Sequence, residues 1–279
     1  MLQSKTTQIN NENGVCFVTF PLLTATGLVN HAFTTKIGGV SKGIYATMNM
    51  GFSVGDDTNA VMENYKIICN AAGITYENLT LSHQTHTNNL RVITKEDIGK
   101  GIFKERDFSD IDGIITNLKN VPLVTQYADC TPLLFCDPKK QVIATSHAGW
   151  RGTVSEIGLK TVEKMREAFG CNPKDIIAAI GPCICKDCYE VDMPVYNTFL
   201  QNGNFIMNEI FTPTYKDHFL LDLKTANKQI LLNAGIKEEN IDISDLCTCH
   251  KHEYFHSHRY TNGKRGTLAA IIELKGEQV

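Results

Sequence analysis

The strongest constraint on the fold is a change of period in the middle of the chain. Residues 121–126, 132–136 and 142–146 are short apolar runs of strand length, and the last two are separated by Asp137-Pro138-Lys139-Lys140, a hairpin-turn sequence. After Gly152 the apolar residues recur at helical spacing instead. Val154, Ile157, Val162, Met165 and Phe169 make one stripe, Lys160, Glu163, Lys164 and Arg166 fall on the wet side, and Gly170 is the stop. Residues 176–180 read as another buried strand before Gly181-Pro182. A helix is expected over 224–234, ending at Gly235, and residues 267–274 read as a closing strand. Nearer the start, Asp57 can cap a helix over 58–72 in which Val61, Tyr65 and Ile68 share a face and Gly73 ends the element. Strands and helices alternate too irregularly for βαβ units. The expected class is therefore α+β, with mixed β-sheets flanked by helices, rather than a doubly wound parallel sheet.

At 279 residues the chain can bury a large core, and length alone allows one or two domains. No internal repeat, low-complexity tract or long polar linker divides it, so one domain over 1–279 is the expectation. A formal net charge of −3 gives no electrostatic footprint for nucleic acid or an anionic membrane, which leaves small soluble ligands as the expected partners. The first fourteen residues are polar and do not read as a signal or transit peptide. No apolar run approaches the roughly 18 residues of a spanning helix, and a soluble cytoplasmic protein is expected. In such a compartment the ten cysteines should be reduced thiols.

Three of the patterned segments carry side chains that bind metals: His86 in Ser82-His83-Gln84-Thr85-His86, Cys130 in Ala128-Asp129-Cys130-Thr131-Pro132, and His147 in Ser146-His147-Ala148-Gly149-Trp150-Arg151-Gly152. Two imidazoles and one thiolate leave the fourth position of a tetrahedral ion open, as catalytic rather than structural zinc sites do. Cys130 follows a strand in a loop stiffened by Pro132, and His147 ends the neighbouring strand, so the hairpin can bring the two together. His86 must arrive from elsewhere. Spacing alone equally allows ordinary buried or surface residues. The turn Gly149-Trp150-Arg151-Gly152 offers two glycines, a helix start after Gly152 and a forked cation, a combination suited to phosphate or carboxylate. The same letters also describe a tight turn with a solvated arginine over the only tryptophan.

Together these segments resemble a known family. Thr34-Thr35-Lys36-Ile37-Gly38-Gly39-Val40-Ser41 running to Met48-Asn49-Met50-Gly51, Gln84-x-His86, the two segments around Cys130 and His147, Ile180-Gly181-Pro182-Cys183-Ile184, and Cys247-Thr248 followed by Phe255-x-Ser257-x-Arg259 and Gly266 are similar, in order, to the YfiH-like family. Its members are described as laccase-like polyphenol oxidoreductases and, more recently, as purine nucleoside phosphorylases. The resemblance implies an α+β fold akin to a group of cysteine hydrolases, with zinc on His86, Cys130 and His147. It also implies phosphorolysis of adenosine, inosine, guanosine and methylthioadenosine, together with adenosine deamination. Peptidoglycan editing and copper-dependent oxidation are further activities attached to the family. Substrate-binding candidates are Lys36, Asn49, Gln84, Arg151 and Arg259, and Cys130, Asp129 and His83 are catalytic candidates. The family usually has arginine at the position of Lys36, so a bidentate grip there would become a point charge.

Several rival readings are open on the residues. Cys247-Thr248-Cys249-His250-Lys251-His252 through His256-Ser257-His258 holds two His-x-His pairs, which a strand would present on one face, but nine histidines in all are too few for a self-contained laccase. The segment reads mainly as the family motif with incidental histidines, where copper could bind adventitiously. Pro182-Cys183-Ile184-Cys185 lacks the Pro-Cys-x-x-Cys and His-x-Glu of zinc deaminases, and Cys185-Lys186-Asp187-Cys188 lacks a thioredoxin-like setting. Cys130 activated by His147 or His86 as a nucleophile would serve a hydrolase or a peptidoglycan-editing amidase. A non-enzymatic metal- or redox-responsive module is suggested by the cysteines alone. The expected partners are a purine nucleoside and inorganic phosphate, and neither oligomeric state nor physiological substrate is legible.

Overall fold

In the computed structural model, which describes residues 1–276, the chain begins with β1 (Gln8–Glu12), β2 (Val15–Thr19), α1 (Pro21–Ala25), β3 (Val29–Thr34), α2 (Thr58–Ala72), β4 (Thr80–Leu81) and β5 (Leu90–Val92). The middle holds β6 (Gly113–Thr116), β7 (Leu123–Tyr127), β8 (Thr131–Asp137), β9 (Val142–Ala148), α3 (Trp150–Val154), α4 (Ile157–Phe169) and β10 (Ile177–Ile180). It closes with β11 (Glu190–Asp192), α5 (Met193–Gln201), α6 (Met207–Ile210), β12 (Phe211–Pro213), β13 (His218–Leu221), α7 (Leu223–Asn233), β14 (Ile241–Ile243), α8 (His258–Thr261) and β15 (Leu268–Leu274).

Two six-stranded sheets result, in the orders β1-β2-β3-β15-β7-β4 and β14-β10-β8-β9-β6-β5, with β11-β13-β12 as a small third sheet. Both large sheets are mixed: β4 pairs parallel with β7, β14 with β10 and β5 with β6, and the remaining pairings are antiparallel. The expected α+β class with mixed sheets and flanking helices is what forms. No helix among the described residues is long and apolar enough to cross a membrane.

Side-chain alternation explains the layering. In β15, Leu268, Ala270, Ile272 and Leu274 join the core between the large sheets, whereas Ala269 and Ile271 turn to the far face, against Val61, Tyr65 and Ile68 of α2. In β8, Leu134 and Cys136 face inward while Leu133 and Phe135 pack with Ile157, Val162 and Met165 of α4. Strands covered on both faces read as unbroken apolar runs, which is why their sequences lack clean alternation. Each fully buried Leu, Ile or Phe contributes on the order of 1.5–3 kcal/mol. Thr125 and Thr145 share a 2.6 Å hydroxyl hydrogen bond, and the Tyr127 hydroxyl donates to the Ser146 carbonyl at 3.0 Å, tying β7 to β9 across the two sheets.

Local signals behave as read in most places. The Asp57 carboxylate accepts from the Asn59 amide, and Gly73 ends α2 in the left-handed region at φ 65. In the β8–β9 hairpin Asp137 accepts from the amides of Lys139 and Lys140. Two expectations are corrected. The helix after Gly152 starts earlier, at Trp150, and is interrupted: Glu156 adopts φ 57, so the stripe is split between α3 and α4. Pro132 lies inside β8, paired with His147, rather than stiffening a loop. All ten cysteines are free thiols.

Candidate metal centre

The ligand candidates meet where the open end of the β8–β9 hairpin touches the segment after β4. Cys130 sits in the Tyr127–Thr131 turn between β7 and β8, and His147 lies in β9 opposite Pro132. One nitrogen from each of His86 and His147 and the Cys130 sulfur lie within 4.8 Å of one another. The Cys130 sulfur is 3.9 Å from His86 Nε2, and the two imidazoles meet edge to face with centroids 4.8 Å apart. His86 (φ 66) and Asp129 (φ 86) both occupy the left-handed region. His and Asp are among the few side chains that tolerate it, at a cost of about 1 kcal/mol or more repaid by surrounding contacts.

Those contacts centre on Asp112, a fully buried carboxylate that the sequence reading did not single out. Its Oδ1 accepts from His86 N (3.0 Å) and from His147 Nδ1 (2.8 Å), and its Oδ2 accepts from Thr85 N (3.0 Å), Thr87 N (2.9 Å) and Thr87 Oγ1 (2.9 Å). Three successive backbone amides thus wrap one carboxylate, which fixes the loop carrying His86. The same carboxylate holds the proton on His147 Nδ1 and leaves Nε2 for the centre. Burial would raise the Asp112 pKa, but donation from His147, Thr85 and Thr87 holds it down at about 2.

The charges reinforce one another. Burial opposes ionisation of both Cys130 and His147, yet their mutual attraction, with Asp112 behind His147, lowers the thiol to about 6 and raises the imidazole to about 9. Burial pushes Cys16, Cys69, Cys136, Cys171 and Cys183 the other way. In metal-stripped protein, iodoacetamide should therefore modify Cys130 ahead of these thiols, with a rate midpoint near pH 6 because the thiolate forms above that value. Peptide mapping reads the site, and a Cys130 profile that rises only above about pH 8, the ordinary thiol range, would refute the ion pair.

Gly149 is required for space, not for backbone freedom. Its φ is −65, but a Cβ there would lie 3.0 Å from the Cys130 sulfur and 3.1 Å from His86 Cδ2. A Cβ on Gly152 would come within 3.0 Å of the His147 carbonyl. Neither glycine adopts a left-handed φ, so both serve close packing. The helix start expected after Gly152 is corrected: α3 spans five residues and begins at Trp150, too short for a sizeable dipole.

Around His86, Cys130 and His147 opens a cleft of about 660 Å³. Arg106, Arg151, Arg259 and Arg265 all line it, and Asp129 is its only carboxylate among the described residues, so the cleft is cationic in a chain of net charge −3. Arg151 lies over the Trp150 ring at 4.4 Å. Arg259 donates to the carbonyls of Cys188 (3.2 Å) and Glu190 (3.1 Å) and covers the Tyr189 ring. Arg265, absent from the sequence reading like Arg106, is half-buried; its Nη1 donates to the Gly266 carbonyl (3.2 Å) and Thr267 Oγ1 (3.1 Å), and its buried Nε has no partner among the described residues. His83 lines the cleft as well, its Nδ1 accepting from Asp110 N at 3.4 Å.

Other candidates are engaged elsewhere. Asp129 accepts from Thr248 Oγ1 (2.6 Å), Ser257 Oγ (3.1 Å) and Arg259 N (2.7 Å), which makes it a clamp between segments. The Gln84 amide is spent on Ser82 and on the Gln126 backbone. Asn49 is fully buried, bonded to Gly51, Asp56 and Thr267, and does not line the cleft. Lys36 does not line the cleft either; burial lowers its pKa despite nearby Glu253. The His-x-His pairs sit in turns and the short α8 rather than a strand. His252 stacks on Tyr260 at 3.5 Å, His256 is buried, and His258 faces the cleft, so neither pair chelates as a unit.

A family model described as multi-copper polyphenol oxidoreductase laccase matches residues 30–275. Purine nucleoside phosphorylase YlmD of Bacillus subtilis is 38% identical over 247 residues, 87% of each chain. Adenosine deaminase RL5, from an unknown prokaryotic organism, is 34% identical over 236 residues, 82% of this chain and 87% of its own. The crystal structure of the Bacillus licheniformis hypothetical protein YfiH matches with a TM-score of 0.90 at 30% identity, over 96% of this chain and 99% of that one.

Proposed function

The chain belongs to the family described as multi-copper polyphenol oxidoreductase laccase, the YfiH-like family, and we propose that its own activity is zinc-dependent phosphorolysis of purine nucleosides. The observation that carries this reading is the joining of a three-ligand centre to a cleft lined by four arginines. Its volume, about 660 Å³, falls in the range of small-ligand sites and admits a nucleoside with phosphate. Names borne by relatives, purine nucleoside phosphorylase above all and adenosine deaminase once, point to the same substrate class.

His86, Cys130 and His147 would hold the zinc, a donor set suited to that ion, with Asp112 orienting His147. When bound, the ion supplies Lewis-acid charge at an open position beside the cleft. Arg151 and Arg265 offer forked donors to phosphate, and the unpaired Arg265 Nε needs such an acceptor. Tyr189 and Trp150 provide flat apolar surface for a purine. Holding phosphate and nucleoside together converts attack on the anomeric carbon into a unimolecular step, and the arginines stabilise the charge as the base departs. Among the proton-handling candidates His83 has the freest ring, since both Asp129 oxygens are taken. Adenosine, inosine, guanosine and methylthioadenosine are the proposed substrates, with deamination of adenosine a second outcome at the same centre.

One other reading has an observation behind it. Cys130, His147 and Asp112 also form a thiolate, imidazole and carboxylate series of the kind used by cysteine hydrolases, including amidases. It leaves His86, facing the same sulfur, and the four arginines without a task. Copper oxidation fits less well, because His31 and His256 are buried and each accepts a backbone N–H, from Phe20 and Gly266, which leaves fewer histidines for a multicopper centre. A non-enzymatic module explains none of the cleft. Purified protein of known metal content, incubated with adenosine, should release adenine and ribose 1-phosphate only when phosphate is present. Inosine alone would make it a deaminase, and no nucleoside turnover by the zinc-loaded protein would overturn the proposal.

A further inference from the structure

A second convergence of metal-binding side chains lies outside the open centre. Cys185 and Cys188, three residues apart in the turn before β11, meet Cys247 and His250, three apart in the turn after β14. The two turns are joined through the backbone: Cys183 and Cys247 form a parallel bridge, and Thr248 N donates to the Cys183 carbonyl at 3.0 Å. Each turn closes on itself, Cys188 N to the Cys185 carbonyl at 3.1 Å and Lys251 N to the Cys247 carbonyl at 3.0 Å. Sequence spacing set these residues aside because each pair is unremarkable alone and 62 positions separate Cys185 from Cys247.

We propose that Cys185, Cys188, Cys247 and His250 bind one zinc ion as a closed, four-ligand structural site. All four ligand atoms lie within 4.8 Å of one another. A tetrahedron built on Zn–S and Zn–N bonds of about 2.3 and 2.0 Å has edges of about 3.8 Å between sulfurs and about 3.5 Å between sulfur and nitrogen. The Cys188 and Cys247 sulfurs are 4.0 Å apart, and Cys185 Sγ is 3.5 Å from His250 Nδ1. The Cys247 sulfur also accepts backbone N–H groups from Cys185 (3.2 Å) and His250 (3.4 Å), which fix its place between the two turns. Three sulfurs and one imidazole, with no position left over, are a structural donor set. The site pins together the loop bearing Ile184 and Tyr189 and the segment leading to Arg259, all of which line the cleft.

Metal counting on the full chain tests this independently of any turnover. Wild-type protein equilibrated with zinc should hold two ions per chain, Cys188→Ser one, and Cys130→Ser one. Cobalt(II) loaded into Cys130→Ser should show an intense sulfur-to-cobalt charge-transfer band with tetrahedral d–d bands, since the open centre then has no thiolate. This arm needs no change at the proposed site, so it decides even if Cys188→Ser fails to fold. Equal metal content in Cys188→Ser and wild type, a Cys188–Cys247 disulfide in the wild-type mass map, or cobalt bound to Cys130→Ser without sulfur charge transfer would each overturn the proposal.

Discussion

If the proposed reading holds, Cys130→Ser should leave the open centre without its metal and lower the proposed phosphorolysis by roughly 10²–10³-fold, the scale seen when one preorganised electrostatic group is removed from a site. A serine hydroxyl is not ionised at neutral pH, so the anion that draws in both His147 and a divalent cation disappears. The Cys130 charge is the largest attraction holding up the His147 pKa, so the imidazole should titrate lower in the variant. Metal analysis alongside kinetics separates the two roles of the sulfur. Loss of one ion together with activity is expected for a ligand, whereas loss of activity with the ion retained would make Cys130 a nucleophile. Retention of both would remove the centre from the mechanism altogether.

How much of this was legible depended on how local each determinant is. The α2 helix has its cap, apolar stripe and stop within one stretch of chain, and its ends match the sequence reading at both termini. The candidate ligands stood out through the patterned segments around them, and His86, Cys130 and His147 do converge. What sequence periodicity could not reveal is the break at Glu156, because the apolar stripe continues across it while the backbone does not. Gly149 and Gly152 were visible as glycines, but the reason for them is the approach of Cys130 and of the His147 carbonyl, which only the folded chain displays. Asn49 lies in a patterned segment like the ligands do, yet its task is to bind the start of β15 through Thr267. Arg106 and Arg265 join the cleft from distant segments without any local motif. The Cys185 to His250 cluster was obscured for the same reason: each half is a short turn, and the donor set exists only when the turns meet.

Asp112→Asn should weaken metal binding at the open centre by roughly 10–100-fold, the usual cost of altering a ligand's carboxylate partner, with activity falling in step. The substitution preserves size, so the effect arises from hydrogen-bond polarity. As a carboxylate, Asp112 accepts at both oxygens, from His147 Nδ1 and His86 N at one and from Thr85 N, Thr87 N and Thr87 Oγ1 at the other. An asparagine has one oxygen to offer. If its amide nitrogen faces His147, neutral imidazole must move its proton to Nε2, the nitrogen needed by the metal. If the nitrogen faces Thr85 and Thr87 instead, donors oppose donors and the loop that carries His86 loosens. Either orientation costs a ligand. Stability has its own pH signature: the folded Asp112 pKa of about 2 lies below the unfolded value near 3.9. Its contribution is thus complete above about pH 4 and fades as pH falls toward 2. Metal-stripped wild type should lose stability through that window by chemical denaturation, while Asp112→Asn should be less stable at neutral pH and flatter below pH 4. Unchanged zinc affinity in Asp112→Asn would show that His147 needs no carboxylate to present Nε2, and would remove Asp112 from the centre.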